Sequence, residues 1–513
     1  MIKIIAIEYI INLTLLLYFF MHMFQLNSYF LKKQMHWMKK NIAKVLIQIF
    51  LIIIPTALLL FKSTIANIAA IIFLAISIIY NFPKGKSKIP LKFTSRVKRM
   101  FLTEIILIVL AMLLFSFNEF IIIKLAILNI ISFILCIIAN IINYPVEQLI
   151  KRKYINEAKK ILREMPNLTV IGVTGSFGKT SVKNFLVKTL SAKYEVLTTP
   201  KNYNTTMGVV KTIRENLKPI HQIFVCEMGA TKLGDIKEIC DIVKPKIGVI
   251  TSIGPQHLQS FKTIENVIKT KFELADSVKE NGGVTFLNFD NEYIAKQKLD
   301  IEYKSYGINN EKLDYNAYNL VSSSKGLSFK MNDLDEEIEF NTKLIGKHNI
   351  ENITGSIAVA NYLGIPMKKL VSKIREIQSV EHRLQILPHG NLTIIDDSYN
   401  SNPVSSKSAL DTLSEFEGTK IIVTPGLIEL GADEEKYNFE FGKYITEVCD
   451  YVYLVGEKQS KSVLEGINSN KFDMNKVFIV NTPNEAVKQI SSLNIAGNIT
   501  VLLENDLPDN YNL

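Results

Sequence analysis

The arrangement of apolar positions divides the chain into two unlike parts. Up to about residue 145 they run in long blocks, and beyond residue 164 they fall into short runs between helix-patterned polar stretches. Blocks of roughly 20 residues match the thickness of a bilayer core. They predict five spanning helices, over about 4–24, 43–61, 65–80, 100–117 and 120–143. Pro55 predicts a kink in the second, which a membrane helix tolerates when its neighbours satisfy the freed backbone groups. The first block has no basic stretch and small-residue cleavage site around it, so a removable signal peptide is not expected. The competing reading is a set of helical hairpins buried in a soluble core.

Charge in the loops gives an orientation. Lys32, Lys33, Lys39 and Lys40 follow the first block. Lys84, Lys86, Lys88, Lys92, Arg96, Lys98 and Arg99 follow the third, and Lys151, Arg152 and Lys153 follow the fifth. The loops at Lys62 and at Asn118-Glu119 are short and nearly uncharged. Basic loops face the cytosol, so the N-terminus is expected outside and the remainder of the chain in the cytoplasm of a multi-pass cell-membrane protein. Trp37, the single tryptophan, suggests an interfacial helix over 36–40 with its ring at the headgroups. Residues 146–165 read as a charged, amphipathic connecting helix. The net charge of +10 is thereby explained by the membrane, and nucleic acid is not an expected partner. Cys136, Cys226, Cys240 and Cys449 have no metal-like or redox-like spacing and read as reduced core thiols.

Beyond residue 165 the pattern is that of a wound α/β domain. Leu168-Thr169-Val170-Ile171-Gly172-Val173 reads as a buried parallel strand. It enters Thr174-Gly175-Ser176-Phe177-Gly178-Lys179-Thr180-Ser181 and then a helix. Strand, glycine turn and helix N-terminus make a phosphate cradle, in which backbone amides and the helix dipole face the anion. Lys179 is expected to neutralise phosphate charge, and the Thr180 hydroxyl to ligate Mg²⁺. The general pattern G-x-x-x-x-G-K-[ST] is not met strictly, because Val173 stands at its first glycine.

Several ordered motifs then resemble the Mur ligases, most closely their D-alanyl-D-alanine-adding branch, over roughly residues 166–505. The loop itself resembles the family's T-G-x-x-G-K-T-[ST]. The stretch containing Asn202, Asn204 and Gly208 resembles N-x-N-x-x-x-G, near the phosphates and the acceptor substrate. Glu227 ends a strand as the family's Mg²⁺ glutamate does, and His257, after the next strand, matches its metal-site histidine. Lys271 matches the lysine that family members carbamoylate, with Lys269 as the alternative two residues away. Gly346-Lys-His348-Asn349-Ile-Glu-Asn352 resembles the motif whose asparagines sit near adenine. Arg383 matches the arginine that closes over the phosphates from the C-terminal domain. Asp396-Asp397-Ser398-Tyr399-Asn400-Ser-Asn402 resembles D-D-S-Y-N-A-N. There the second aspartate, here Asp397, reaches the ATP side, and Asn400 and Asn402 are expected near substrate. Thr424-Pro-Gly426-Leu-Ile-Glu429-Leu430-Gly431 ends a strand as the family's G-x-M-x-E-L-G does.

Apolar length and patterning give the transmembrane region (1–145) and connecting helix (146–165), and alternation at Ile338-Glu-Phe340 with a turn at Lys325-Gly326 gives a β-rich insertion without evident chemistry over about 300–342. The resemblance implies a central ATP-binding phosphate-loop domain (166–377) and a Rossmann-like C-terminal domain (378–513). It implies an ATP- and Mg²⁺-dependent ligase that makes an acyl phosphate and then an amide, with charge neutralised by Lys179 and Arg383 and a carbamoylated Lys271. Two departures stand out. A multi-span domain replaces the soluble N-terminal domain that holds UDP, and an acidic stretch containing Glu504, Asp506 and Asp509 stands where the adding enzymes have a K-G-S-R-type sequence. The first predicts an envelope glycan or peptide acceptor, possibly lipid-linked, receiving an amino acid or dipeptide; the second predicts an altered site for the amine's carboxylate. The alternatives are an anchored D-Ala-D-Ala-adding enzyme acting on a UDP-linked peptide, an NTPase-driven transporter, and an inactive binding subunit.

Overall fold

The computed structural model describes all residues except 84–89, 115–120, 202, 257, 335, 390–391, 400, 429, 458–459, 494, 496 and 507–513. Two compact units emerge, one built from residues 1–152 and the other from 153–506.

The first unit is wholly helical: α1 (Ile2–Leu26), α2 (Leu31–Lys40), α3 (Ile42–Leu59), α4 (Thr64–Asn81), α5 (Ser95–Leu114), α6 (Ile121–Ile130) and α7 (Ser132–Arg163), the last of which continues into the second unit. Four of these, α1, α3, α4 and α7, are long and apolar enough to cross a membrane. The expected fourth span is α5, which carries Lys98, Arg99 and Glu104 in its first half. The expected fifth is divided between the short α6 and the start of α7. The expected connecting helix is continuous with α7, so no break separates it from the apolar segment. Pro55 and Pro145 lie inside α3 and α7. Lys84, Lys86, Lys88, Asn118 and Glu119 lie outside the described residues. The surface is rich in exposed Ile, Leu and Phe, whereas polar groups turn inward. Asn12 donates to Ser77 (2.7 Å), Asn81 donates to Asn12 (3.0 Å), and Gln48 donates to Asn81 (3.0 Å), tying α1, α3 and α4 together. Trp37 is 5% exposed and packs with Met23, Met38 and Val45.

The second unit begins with the end of α7, where Tyr154, Ile155 and Ala158 pack on the first of two sheets. That sheet contains β1 (Thr169–Thr174), β2 (Val196–Thr198), β3 (Ile223–Glu227), β4 (Ile247–Ile250), β5 (Val284–Asn288), β6 (Tyr303–Ile308), β7 (Tyr315–Ser323), β8 (Gly326–Asp333) and β9 (Glu336–Thr342). Its order is β2-β3-β1-β4-β5-β6-β7-β8-β9, parallel as far as β7 and antiparallel thereafter. The expected insertion is therefore an extension of the central sheet. Its alternating apolar residues, Leu327, Phe329 and Met331 with Ile338 and Phe340, complete the same core. Around the sheet lie α8 (Lys179–Leu190), α9 (Thr206–Asn216), α10 (Asp235–Val243), α11 (Leu258–Phe261), α12 (Ile264–Glu280), α13 (Glu292–Ala295), α14 (His348–Tyr362) and α15 (Met367–Arg375).

A second sheet is formed by β10 (Gln385–His389), β11 (Leu392–Asp397), β12 (Thr419–Thr424), β13 (Tyr451–Val455), β14 (Val477–Val480) and β15 (Ile499–Glu504). Its order is β10-β11-β15-β12-β13-β14, with only β10 antiparallel. It is flanked by α16 (Pro403–Ser414), α17 (Glu434–Val448), α18 (Lys461–Ser469) and α19 (Pro483–Ser491). Parallel strands covered on both faces leave their C-terminal ends free for ligands.

Asn438 of α17 secures the loop that leaves β12. It accepts from the Leu427 amide (2.8 Å) and donates to the Leu427 carbonyl (2.9 Å) while 3% exposed. Asn438→Ala orphans both backbone groups and is expected to lower unfolding free energy by about 1–3 kcal/mol. Denaturant unfolding of the purified protein measures this; an unchanged midpoint would show that the clamp contributes nothing.

Candidate active site

The phosphate loop connects β1 to α8 and is walled by neighbouring elements. Phe177 N donates to Ser252 Oγ (2.9 Å), Thr251 Oγ1 donates to the Phe177 carbonyl (2.5 Å), and Ser176 N donates to the Ser252 carbonyl (2.8 Å). Thr174 Oγ1 donates to the Met228 carbonyl at 2.9 Å. Gly178 adopts φ +79° at the start of α8, and a Cβ there would lie 2.7 Å from Asn352 Oδ1. Glycine at this point is required twice, for backbone conformation and for space. Lys179 Nζ donates to the carbonyls of Gly175 (2.7 Å) and Ser176 (3.0 Å). Burial lowers its amine to about 8, Glu227 works against that shift, and Arg383 adds to it. Ser181 follows Thr180 in the first turn of α8.

Glu227, at the tip of β3 and 1% exposed, is the hub of the opposite wall. Its Oε1 accepts from Thr180 Oγ1 (3.2 Å) and Asn204 Nδ2 (3.0 Å), and its Oε2 is ion-paired with Lys183 at 3.0 Å. Lys183 also donates to the carbonyls of Thr199 (3.0 Å) and Lys201 (2.7 Å). The sequence reading missed Lys183, although a signal exists. It stands four residues after Lys179 on the same helix face, beside the apolar Val182, Phe185 and Leu186.

Lys271 on α12 is 2% exposed, whereas Lys269 is exposed. Burial first, and then the charge of Lys179, hold the Lys271 amine well below its ordinary value, against Glu273 and Asp235. Two cations on separate elements thus influence each other inside one buried site.

Arg383 reaches this site from the second sheet, because its charge lowers the pKa of both Lys179 and His348. Its neighbours are strained: His382 has φ +59° and Leu384 φ +42°, left-handed values that cost energy outside glycine. Two aspartates hold that turn. His382 Nδ1 pairs with Asp396 Oδ2 at 2.7 Å, and Leu384 N donates to Asp397 Oδ1 at 3.1 Å. The guanidinium lies over the Tyr399 ring, 4.5 Å from its centroid.

With this geometry in hand, comparison with known proteins gives a consistent result. Residues 173–360 match the Mur ligase middle domain, and residues 382–504 match the Mur ligase glutamate ligase domain. The UDP-N-acetylmuramoyl-tripeptide–D-alanyl-D-alanine ligase of Buchnera aphidicola (subspecies Acyrthosiphon pisum) is 31% identical over 321 residues, 61% of this chain and 70% of that protein. The chain belongs to the Mur ligase family. The Bacillus subtilis ligase of the same name is 30% identical over 304 residues, 58% of this chain and 65% of its own. The chain thus spans between 65% and 70% of these two relatives' length. The crystal structure of the Thermotoga maritima MurF ligase in complex with ADP superposes with a TM-score of 0.62 at 25% identity, covering 69% of this chain and 80% of that one. Mur ligase relatives are ATP-dependent amide ligases, and this chain is a ligase of that kind.

Other expected site residues of this Mur ligase fall in distinct places. Asn349 (6% exposed) donates to the Ile345 carbonyl at 2.8 Å, and Asn352 (8%) abuts Gly178. Asn204 faces Glu227. Asn402 is 2% exposed and caps α16, accepting from the amides of Val404 (3.0 Å) and Ser405 (3.1 Å). His257, Asn202, Asn400 and Glu429 lie outside the described residues. The acidic stretch after β15 departs from expectation. Glu504 is fully buried and bonded to Ser401 instead of lining an open substrate site, and Asp509 lies outside the described residues. All four cysteines are free and buried.

Two tests follow from burial. His348 Nδ1 pairs with Ser408 Oγ at 2.8 Å, joining α14 to α16, and burial plus Arg383 lower the imidazole to about 4. The unfolded chain takes up a proton near pH 6.5 that the folded chain refuses. Stability should therefore fall as pH drops from 6.5 toward 4, by up to about 3 kcal/mol. His348→Gln should flatten that acid limb, and an unaltered limb would dismiss the assignment. Lys183→Met strands the Glu227 carboxylate and should cost about 3–5 kcal/mol. Adding Glu227→Gln should recover part of the loss in a double-mutant cycle of unfolding free energies, and strict additivity would refute the pairing.

Proposed function

We propose that this chain is a membrane-anchored ligase that joins an amino acid or dipeptide amine to a carboxylate on a cell-envelope acceptor, at the expense of ATP. The supporting observation is the convergence of Lys179, Lys271, Arg383 and the Thr180–Glu227 pair on one phosphate loop. The reactants to be brought together, a carboxylate and a triphosphate, are both anionic. The catalytic task is mostly alignment and neutralisation. Amides of the loop and the N-terminus of α8 hold the phosphates, Lys179 turns from its own loop carbonyls toward them, and Arg383 approaches from the opposite side. Asn349 and Asn352 lie at the expected adenine end and Asp397 behind Arg383. The acceptor carboxylate displaces ADP to give an acyl phosphate, the amine attacks that carbonyl, and phosphate leaves. Burial of the cations keeps water from the acyl phosphate.

The carboxylate of Glu227 and hydroxyl of Thr180 are hard oxygen donors 3.2 Å apart, which suits Mg²⁺. Held there by Glu227 and Thr180, with His257 assigned to the same metal by its motif in the sequence, Mg²⁺ would neutralise charge on the transferring phosphoryl group. A buried, neutral Lys271 amine is also the form that adds to CO₂, losing a proton to become an anionic carbamate ligand. By the motifs that carry them in the sequence, Asn202, Asn204, Asn400 and Asn402 are assigned to the acceptor side.

The apolar helices supply the anchor, with the catalytic unit in the cytosol and the N-terminus outside, as the alternation of basic loops requires. A lipid-linked acceptor accords with an anchor standing where a UDP-binding domain is expected. A second reading, D-alanyl-D-alanine addition to a UDP-linked peptide, is favoured by the names of the relatives. Phosphate release from ATP should require both a carboxylate acceptor and an amine, and Lys179→Ala should abolish it. Mass spectrometry of lipid-linked and UDP-linked glycans from cells with and without Lys179→Ala identifies the acceptor. Release that ignores the amine would defeat the ligase reading; efficient turnover of soluble UDP-linked peptide would defeat the lipid-linked one.

A further inference from the structure

Two acidic side chains meet in the C-terminal domain where ordinary electrostatics forbids two charges. Asp397 and Glu504 are register partners at the ends of the adjacent parallel strands β11 and β15. They are 8% and 0% exposed. Each carboxyl group acts on the other's charge across this strand pair, and two adjacent buried carboxylates call for a proton on one of them. Glu504 Oε1 accepts from the Ser401 hydroxyl, while the buried Oε2 makes no hydrogen bond of ordinary geometry and has the Ser406 hydroxyl as a neighbour. Asp397 Oδ1 accepts from Leu384 N at 3.1 Å, within the strained turn that carries Arg383. The other charged groups acting on the pair are Arg383 from that turn and Asp396 from β11; on the side of α16 the neighbours are the hydroxyls of Ser401 and Ser406.

We infer that Glu504 is a positioning residue: it shares a single proton with Asp397, and this proton keeps Asp397 in place to hold the turn that aims Arg383 at the phosphate loop. The chemistry is one of donor and acceptor. A protonated Glu504 donates to the Asp397 carboxylate, which in turn accepts from Leu384 N and balances Arg383. Loss of the proton to solvent at alkaline pH leaves two adjacent buried anions that must separate, and the turn moves with Asp397. A second proton at acid pH removes the anion that faces Arg383. Burial pushes Glu504 well above the ordinary carboxylate range and Asp397 to about 6, as a shared proton requires. Glu504 of the acidic stretch thereby serves as internal support for the arginine turn.

The inference rests on the proposed role of Arg383 at the nucleotide, and the test separates the two. Binding of the β,γ-imido analogue of ATP with Mg²⁺ is measured by calorimetry from pH 7.5 to 9.5 on the full chain and on Glu504→Gln, Glu504→Ala and Arg383→Ala. The glutamine amide donates to Asp397 but holds no titrating proton. Wild type should lose roughly tenfold more affinity across this range than Glu504→Gln; the titration of Lys179 is common to both. Glu504→Ala should bind weakly throughout. Infrared spectra should show a protonated-carboxyl C=O band in wild type that Glu504→Gln lacks, a readout that needs no nucleotide and no stable alanine variant. Equal pH slopes for wild type and Glu504→Gln, or a carboxyl band undiminished in Glu504→Gln, overturns the proposal while leaving Arg383 its role. Undiminished binding by Arg383→Ala overturns that role and this inference together.

Discussion

Everything at the catalytic end of this protein depends on keeping charge buried without leaving it alone. Glu227 sits at 1% exposure and is tolerated because Thr180, Asn204 and Lys183 all converge on its two oxygens. These partners come from successive turns of α8 (Thr180 and Lys183) and from the loop before α9 (Asn204). The knot therefore does structural and chemical duty at once. It fixes the helix that presents the phosphate-binding amides, and it fixes the loop Thr199–Lys201 through the second and third donors of Lys183. An isolated buried carboxylate is too costly to persist, so the hub forms only if the sheet, the helix and the loop all arrive.

The same constraint acts with opposite sign on the cations. After burial, the charge of Arg383 lowers the affinity of Lys179 for its proton, and the charge of Lys179 lowers that of Lys271. Such a cluster is unfavourable until an anion arrives. This is the arrangement expected of a site whose ligand is a triphosphate, since repulsion stored in the empty site is relieved by binding. The strain at His382 and Leu384 belongs to the same account. Two left-handed residues flank the arginine, and two adjacent aspartates, Asp396 and Asp397, secure them.

Much of this was legible in the sequence, for reasons that differ by element. The phosphate loop could be read because strand, glycine turn and lysine are contiguous. The parallel strands could be read because both their faces are buried and their apolar runs are unbroken. Lys183 escaped notice because a single buried lysine on a helix resembles a solvated one until its partner, Glu227 on another strand, is brought beside it. Glu504 was misread for a related reason. Its acidity was read only as an altered site for the amine's carboxylate, and only the pairing of β15 with β11 brings it beside Asp397. The β-rich character of 300–342 was legible from its alternating apolar positions, but not that its strands extend the central sheet, because β-hairpins look alike whether they stand apart or join an existing sheet.

The helical unit shows where sequence reading stops most sharply. Hydropathy gave the first three apolar helices within a few residues, but it did not show the fifth block dividing into α6 and the start of α7. Asn12, Gln48, Ser77 and Asn81 look like scattered imperfections in those apolar blocks. Once α1, α3 and α4 are packed, they are consecutive members of one hydrogen-bonded chain with separations of 2.7–3.0 Å. In an apolar medium polar side chains have few alternative partners, so such a chain selects helix register in a way that uniform packing of Ile and Leu cannot. Polar residues that seem to weaken each helix as a solitary membrane segment are those that specify how the helices assemble, and they become intelligible only as a group.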